Sequence, residues 1–183
     1  MKDHRIHLII VILVLIPSLS LTGCDHAKNL EKEHLNQSTN YSSRVVVLYF
    51  GNESSLYLVP EKRHIRVPTN PSTKDMATAI IENLIAGPSN PALSPTFPPE
   101  TKLREVQISR DLAIVDFSQE LTSRHEGSIT AEAMTIGSLV NSLTELEAIQ
   151  EVQILIEGQR VDSLLGYWDT SRPIQRNEFL LNN

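Results

Sequence analysis

The sequence predicts an α+β fold: a small sheet with two helices packed on one of its faces, in the order β-β-α-β-β-α-β. Two segments repeat apolar residues at helical spacing, and β-branched or alternating runs flank them on both sides. Glycine and proline mark most of the junctions. The chain has 183 residues, 40% hydrophobic, 21% charged and 5% aromatic, enough for one domain with little room for a second.

Taken in order, Arg44 to Phe50 (RVVVLYF) is a β-branched and aromatic run, and Gly51-Asn52 is a turn signal. Leu56 to Val67 is a second extended stretch, with an expected interruption at Pro60, so the two form a hairpin. Ser72 with Asp75 has the form of a capping box ahead of Met76, Ala77, Ile80, Ile81, Leu84 and Ile85, a helical stripe that stops at Gly87-Pro88. Five prolines between 88 and 99 forbid regular structure there. Val106 and Ile108 then alternate with polar residues, Arg110-Asp111 turns the chain, and Leu112 to Phe117 returns as a strand apolar on nearly both faces. Ile129, Ala133, Ile136, Val140 and Leu143 define the second helix, with Ser128 or Thr130 as its cap. Glu151 to Glu157 supplies a last strand, and the remainder is turn-like. The helices are expected to cover one sheet face and to leave the other polar and available.

The first residues have a different character. Lys2 and Arg5 precede nine unbroken apolar residues, Leu8 to Ile16, which cover about 14 Å as a helix and so fall short of spanning a bilayer. The run ends in Leu21-Thr22-Gly23-Cys24, which resembles the bacterial lipobox: small residues admit the signal peptidase, and the cysteine sulfur takes a diacylglycerol. Residues 1–23 are therefore expected to be a lipoprotein signal peptide, and 24–43 a lipidated Cys24 with a flexible tether. The single domain spans 44–176, and a tail 177–183. The mature protein would sit on the outer face of the cytoplasmic membrane, with acyl chains on Cys24 as its only attached group.

Charge and motif content exclude several function classes. Sixteen Lys and Arg against 22 Asp and Glu give a net charge of −6, so the basic footprint of a nucleic-acid binder is missing. The one cysteine rules out an intramolecular disulfide framework. No phosphate-binding glycine motif and no G-x-S-x-G occurs. His26, His34, His64 and His125 are too far apart in sequence to form a local metal pair, so no metal site is expected.

What remains are surface candidates. Lys62 and Arg66, in the densest basic run, could join Lys102 and Arg104 in a patch for anionic headgroups or an acidic partner; a polar strand face is the simpler reading. Tyr167 and Trp168 suit either core cover or a sugar-stacking platform. Arg124-His125-Glu126, with Asp116 two residues before Ser118, invites a hydrolase reading, but solvated loop residues explain them better. Glu145, Glu147 and Glu151 read as a solvated acidic face. No catalytic residue is assigned.

Several segments together resemble a known domain. Leu48-Tyr49-Phe50 with Leu58-Val59-Pro60-Glu61 and Arg63, then Leu84 to Pro88, Val115-Asp116-Phe117-Ser118, Asn141 to Glu145 and Val152 to Gly158 are similar to the GerMN domain of sporulation and spore-germination lipoproteins. The match runs from Leu48 to about Arg176, in one copy where the archetype has two. The resemblance implies a core similar to the ring-building motif of secretion and sporulation channels. It also implies a non-enzymatic envelope protein that assembles with a membrane-complex partner or with itself. Wall glycan or small-ligand binding is the alternative. Within that resemblance Asp116 is expected to hydrogen-bond backbone at the strand end.

Overall fold

A computed structural model describes residues 40–181. The expected signal peptide, Cys24 and nearly all of the tether lie outside the described residues.

Strands β1 (Tyr41–Gly51) and β2 (Leu58–Pro68) form an antiparallel hairpin with unbroken register from Tyr41↔Pro68 to Gly51↔Leu58. At its turn the Asn52 side-chain oxygen accepts from the N–H groups of Leu56 and Tyr57. Val46, Leu48 and Phe50 point from one face of β1 into the main core. Tyr49, between them, packs with Leu58, Ala133 and Met134 in a second cluster.

Helix α1 (Thr73–Ile85) starts at Ser72 with both halves of a capping box: the Asp75 N–H donates to Ser72 Oγ at 3.1 Å, and the Ser72 N–H donates to Asp75 Oδ2 at 2.8 Å. Strands β3 (Leu103–Ser109) and β4 (Leu112–Phe117) are antiparallel, and β5 (Glu151–Ile156) lies parallel to β4. The crossover between β4 and β5 holds the single-turn helix α2 (Glu120–Ser123) and the 15-residue α3 (Ile129–Leu143), capped by Ser128. Two short strands, β6 (Gln159–Arg160) and β7 (Ile174–Gln175), pair with opposite ends of β5, and a 3-10 turn (Glu178–Leu180) follows.

The main elements follow the expected order β-β-α-β-β-α-β, with α2, β6 and β7 in addition, but the strands fall in two sheets. β1 and β2 make one, and β3-β4-β5 with the short strands make the other, while α1 and α3 touch both. The reason is visible on α3. Its apolar stripe, Ile136, Leu139, Val140 and Leu143, enters the main core, yet residues Glu132 to Leu143 are all buried. The opposite side meets the free edge of β1, where a sheet neighbour would otherwise sit. There Ser138 Oγ donates to the Tyr49 carbonyl at 2.6 Å and the Tyr49 N–H donates to Ser142 Oγ at 3.0 Å. Gly137 admits this approach, because a Cβ built on it would lie 2.5 Å from Leu180 Cδ1 and 3.0 Å from Leu58 Cδ1.

The same contact explains why β2 runs through Pro60 without the expected break. Tyr49 faces Pro60 in the register and turns its own N–H and C=O away from β2, so the pair is a non-hydrogen-bonded one. Proline there removes no ladder bond. Pro68, opposite Tyr41, has the same parity.

Two boundaries shift. β1 begins at Tyr41, three residues before the expected domain start, because β2 offers partners as far as Pro68. Residues 177–181, expected as a tail, are held to the domain. The Asn141 side chain brackets Asn177, donating to its carbonyl and accepting from its N–H, both at 2.9 Å, and Leu180 and Leu181 pack on the second cluster. Nor is the second sheet face open throughout, since Gln153 is fully buried and donates to the Thr170 carbonyl at 2.9 Å.

Replacing Ser142 by Ala leaves the Tyr49 N–H buried without an acceptor. We expect a loss of about 1–3 kcal/mol in urea unfolding. Ser109→Ala, on the exposed end of β3, should stay within about 0.5 kcal/mol of wild type.

Candidate functional site

The carboxylates of the domain bind its own backbone. Glu132, in the first turns of α3, is fully buried. Its Oε1 accepts from Ser163 Oγ at 2.6 Å and from the N–H groups of Leu164 and Leu165 at 2.9 Å; its Oε2 accepts from the Tyr167 N–H at 3.0 Å. Three main-chain donors and a hydroxyl thus converge on one charge and clamp the 163–167 loop to the helix. Glu61 does the same for the proline-rich loop, accepting from the Ser89 and Asn90 N–H groups at 3.0 and 2.9 Å while pairing with Arg63. Partial burial pushes the Glu61 carboxyl up, but the Asn90 N–H, the Arg63 guanidinium and the Ser89 N–H outweigh it and hold the group below the ordinary 4.5.

Asp116 closes β4 against the turn after β5: its Oδ1 accepts from the Gly158 N–H at 2.8 Å, and its Oδ2 lies 3.0 Å from Arg104, which also pairs with Glu157. The expected backbone role of Asp116 is what the structure shows. At the far end of α3, Arg176 donates to the Tyr49 hydroxyl and pairs with Glu145 and Glu178, and the Tyr49 hydroxyl donates to Glu145 at 2.8 Å. Burial opposes the Arg176 charge, but Glu178 and Tyr49 more than restore it. Burial also raises the Tyr49 phenol.

A cleft of about 390 Å³ opens between the hairpin tip, the proline-rich loop and the start of α3. Pro95, Pro98, Leu56 and Met134 supply apolar wall, while Arg124 and His125 supply polar groups. The His125 ring is oriented through Nε2, 2.7 Å from Thr135 Oγ1. That hydroxyl has one hydrogen and two carbonyl neighbours, Thr96 and Ala131, so it donates to a carbonyl and accepts from the imidazole. Nε2 therefore carries the proton and Nδ1 is a bare, buried acceptor. Burial holds the imidazole pKa below 6.5 although Glu132 and Glu126 pull it upward, so the ring is neutral at pH 7.

The surface candidates do not gather into one site. Lys62 and Arg66 stand exposed on β2, whereas Lys102 and Arg104 lie at the start of β3 in the other sheet, where Arg104 is already paired. Trp168 packs against both core clusters and Tyr167 is 54% exposed, so the two do not share a stacking face. Among the described residues no group of three His, Cys, Asp or Glu side chains could hold a metal ion, and no helix is long and apolar enough to cross a membrane.

Compared with known proteins, residues 47–162 match the model of the family Germane, described as sporulation and spore germination. The chain belongs to the Germane family. A candidate lipoprotein from Clostridium perfringens is 31% identical, over 73% of this chain and 88% of that one, with a TM-score of 0.54. The tandem GerMN domains of the sporulation protein GerM from Bacillus subtilis are 25% identical with a TM-score of 0.56. This match covers 79% of the present chain but 49% of that chain, one copy of the domain against two. The first GerMN domain of GerM shares the fold at 20% identity and a TM-score of 0.55, over 74% of this chain and 98% of that one. No curated protein matches the chain.

The segments that carry the Germane resemblance hold the staples just described: Glu61 and Arg63, Asp116, and Asn141 with Ser142 and Glu145. Glu132 and the cleft escaped sequence reasoning. Glu132 lies within the apolar stripe of its helix, three residues after Ile129 and four before Ile136, which is the one local sign of its burial, but its donors come from a loop some thirty residues later.

Glu132→Gln turns an amide against backbone donors. It is expected to cost about 2 kcal/mol or more in denaturant unfolding. The lowered pKa of Glu61 means that its contribution is complete above about pH 4.5 and lost as pH falls through the folded value. Thermal midpoints of wild type and Glu61→Gln, recorded from pH 7 to pH 3, should therefore converge below pH 4.5.

Proposed function

We propose that this Germane domain is a non-enzymatic lipoprotein of the spore-forming cell envelope, tethered through acylated Cys24 to the outer face of the cytoplasmic membrane. It serves there as a scaffold or assembly factor for an envelope protein complex in spore formation or germination. The observation that carries this reading is the use of the buried ionisable groups. Glu132 and Asp116 each hold a loop or turn by accepting backbone N–H bonds. His125 is held to a threonine through Nε2, and its Nδ1 is buried away from solvent. Catalysis would need such groups free to meet a substrate. Family membership and the C. perfringens relative support the sporulation setting and the lipoprotein character. A second reading, binding of a small ligand or wall glycan, draws on the 390 Å³ cleft, whose mixed lining suits one.

The anchor is tested by fractionating cells that produce wild type or Cys24→Ala. Wild type should sediment with membranes and the variant should appear in the soluble extracytoplasmic fraction. A variant that still sediments fully would overturn the tethering.

A further inference from the structure

The edge of β1 is covered at its hairpin-tip end. Tyr49 and Gly51 turn their N–H and C=O groups away from β2, where Ser142, Ser138 and Ser94 meet them. The register is unbroken, so Val47, Val45 and Ser43 turn their main-chain groups the same way. Helix α3 ends at Leu143, and among the described residues nothing pairs with the outward N–H and C=O of Val45 and Val47. Val45 is 59% exposed. This is an open sheet edge of the kind that accepts another strand.

Its surroundings select the strand. On one side a groove of about 240 Å³ runs beside Val46, Met76, Ile80 and Leu146, apolar side chains of β1, α1 and the segment after α3. On the other, the cross-strand pairs Val47↔Lys62, Val45↔His64 and Ser43↔Arg66 set three exposed basic or titratable side chains in a row, of which Lys62 also reaches the rim of the groove. Among the described residues neither Lys62 nor Arg66 has a carboxylate partner; Arg66 lies over the Tyr41 ring at 4.5 Å. Glu145, the acidic group at the groove, is already paired with Arg176.

We propose that the Ser43–Val47 edge of β1 binds an extended acidic segment of a partner protein as an added strand. A strand laid along this edge alternates its side chains between the two sides. Acidic residues then face Lys62, His64 and Arg66, and apolar residues enter the groove. The proposal rests on the scaffold reading for its biological setting and names the chemistry of the partner. It is tested by peptide binding to purified protein, which leaves the tethering question untouched.

The probes are two fluorescein-labelled octapeptides, (Glu-Val)4 and (Lys-Val)4, titrated by anisotropy against the purified full-length protein, whatever its state at Cys24. The acidic peptide should bind at least about tenfold more tightly than the basic one. Hydrogen exchange at the Val45 and Val47 amides should slow when the acidic peptide binds. Val45→Pro should abolish binding without lowering the melting temperature, since the Val45 N–H takes no part in the hairpin ladder. Should that variant misfold, the surface double variant Lys62→Glu with Arg66→Glu decides the matter by reversing the preference between the peptides. Equal affinity for both peptides, no binding at millimolar concentration, or an unchanged preference in the double variant would overturn the proposal. So would slow exchange of the Val45 and Val47 amides in the protein alone, which would mean that the chain fills its own edge.

Discussion

Helix α3 does for β1 at Tyr49 what a neighbouring strand does elsewhere. The main-chain groups of Tyr49 need partners once buried, and leaving them unmet would cost about 1–3 kcal/mol each. Ser138 and Ser142, one helical turn apart, stand at the right interval to meet the carbonyl and N–H of a single strand residue. Much else follows from that contact. It ends sheet formation at β1, brings a helix against a strand edge closely enough to require Gly137, and makes Pro60 harmless in β2. It also carries Thr96 of the proline-rich loop, whose hydroxyl donates to Ser138 at 2.8 Å.

The loops are held by a second, electrostatic device. Carboxylates at element ends gather backbone N–H groups: Glu61 for the segment after α1, Asp116 for the turn after β5, and Glu132 for the loop before β7. Charge-assisted bonds to backbone are stronger than neutral ones and fix direction as well as distance. A domain with few aromatic residues thereby orders long connections without enlarging its hydrophobic core. The arrangement also accounts for why the segments resembling GerMN domains contain polar residues beside the core positions. Those polar residues tie one element to the next, which is an architectural task and not a chemical one.

How much of this could be read in the sequence differs from element to element. The capping box at Ser72-Asp75, the Ser128 cap, the β3–β4 hairpin and the stripe of α3 depend on neighbours within a few residues, and each stands where the pattern puts it. Pro60 misled because the rule that proline breaks strands holds only where its N–H would face a partner, and parity toward β2 is set by α3 across 93 positions from Tyr49 to Ser142. The basic row on β2 was visible as Lys62 to Arg66, but its separation from Lys102 and Arg104 depends on the strands dividing between two sheets. Trp168 and Tyr167 are adjacent in sequence and diverge in space, one against the core and one in solvent.

The sequence by itself determined the order of the main elements, the two long amphipathic helices, the turns between the long strands and the family, because all of these are written in local periodicity and short motifs. Only the tertiary structure decided which polar residues are buried, which sheet edge is closed and which is left open. Those outcomes depend on hydrogen-bond partners brought together over tens of residues. A serine on a helix or a glutamate in its first turns looks the same in sequence whether it meets water or another segment's backbone. The physical difference is desolvation: once buried, each such group needs a geometrically matched partner, and only the folded chain supplies it.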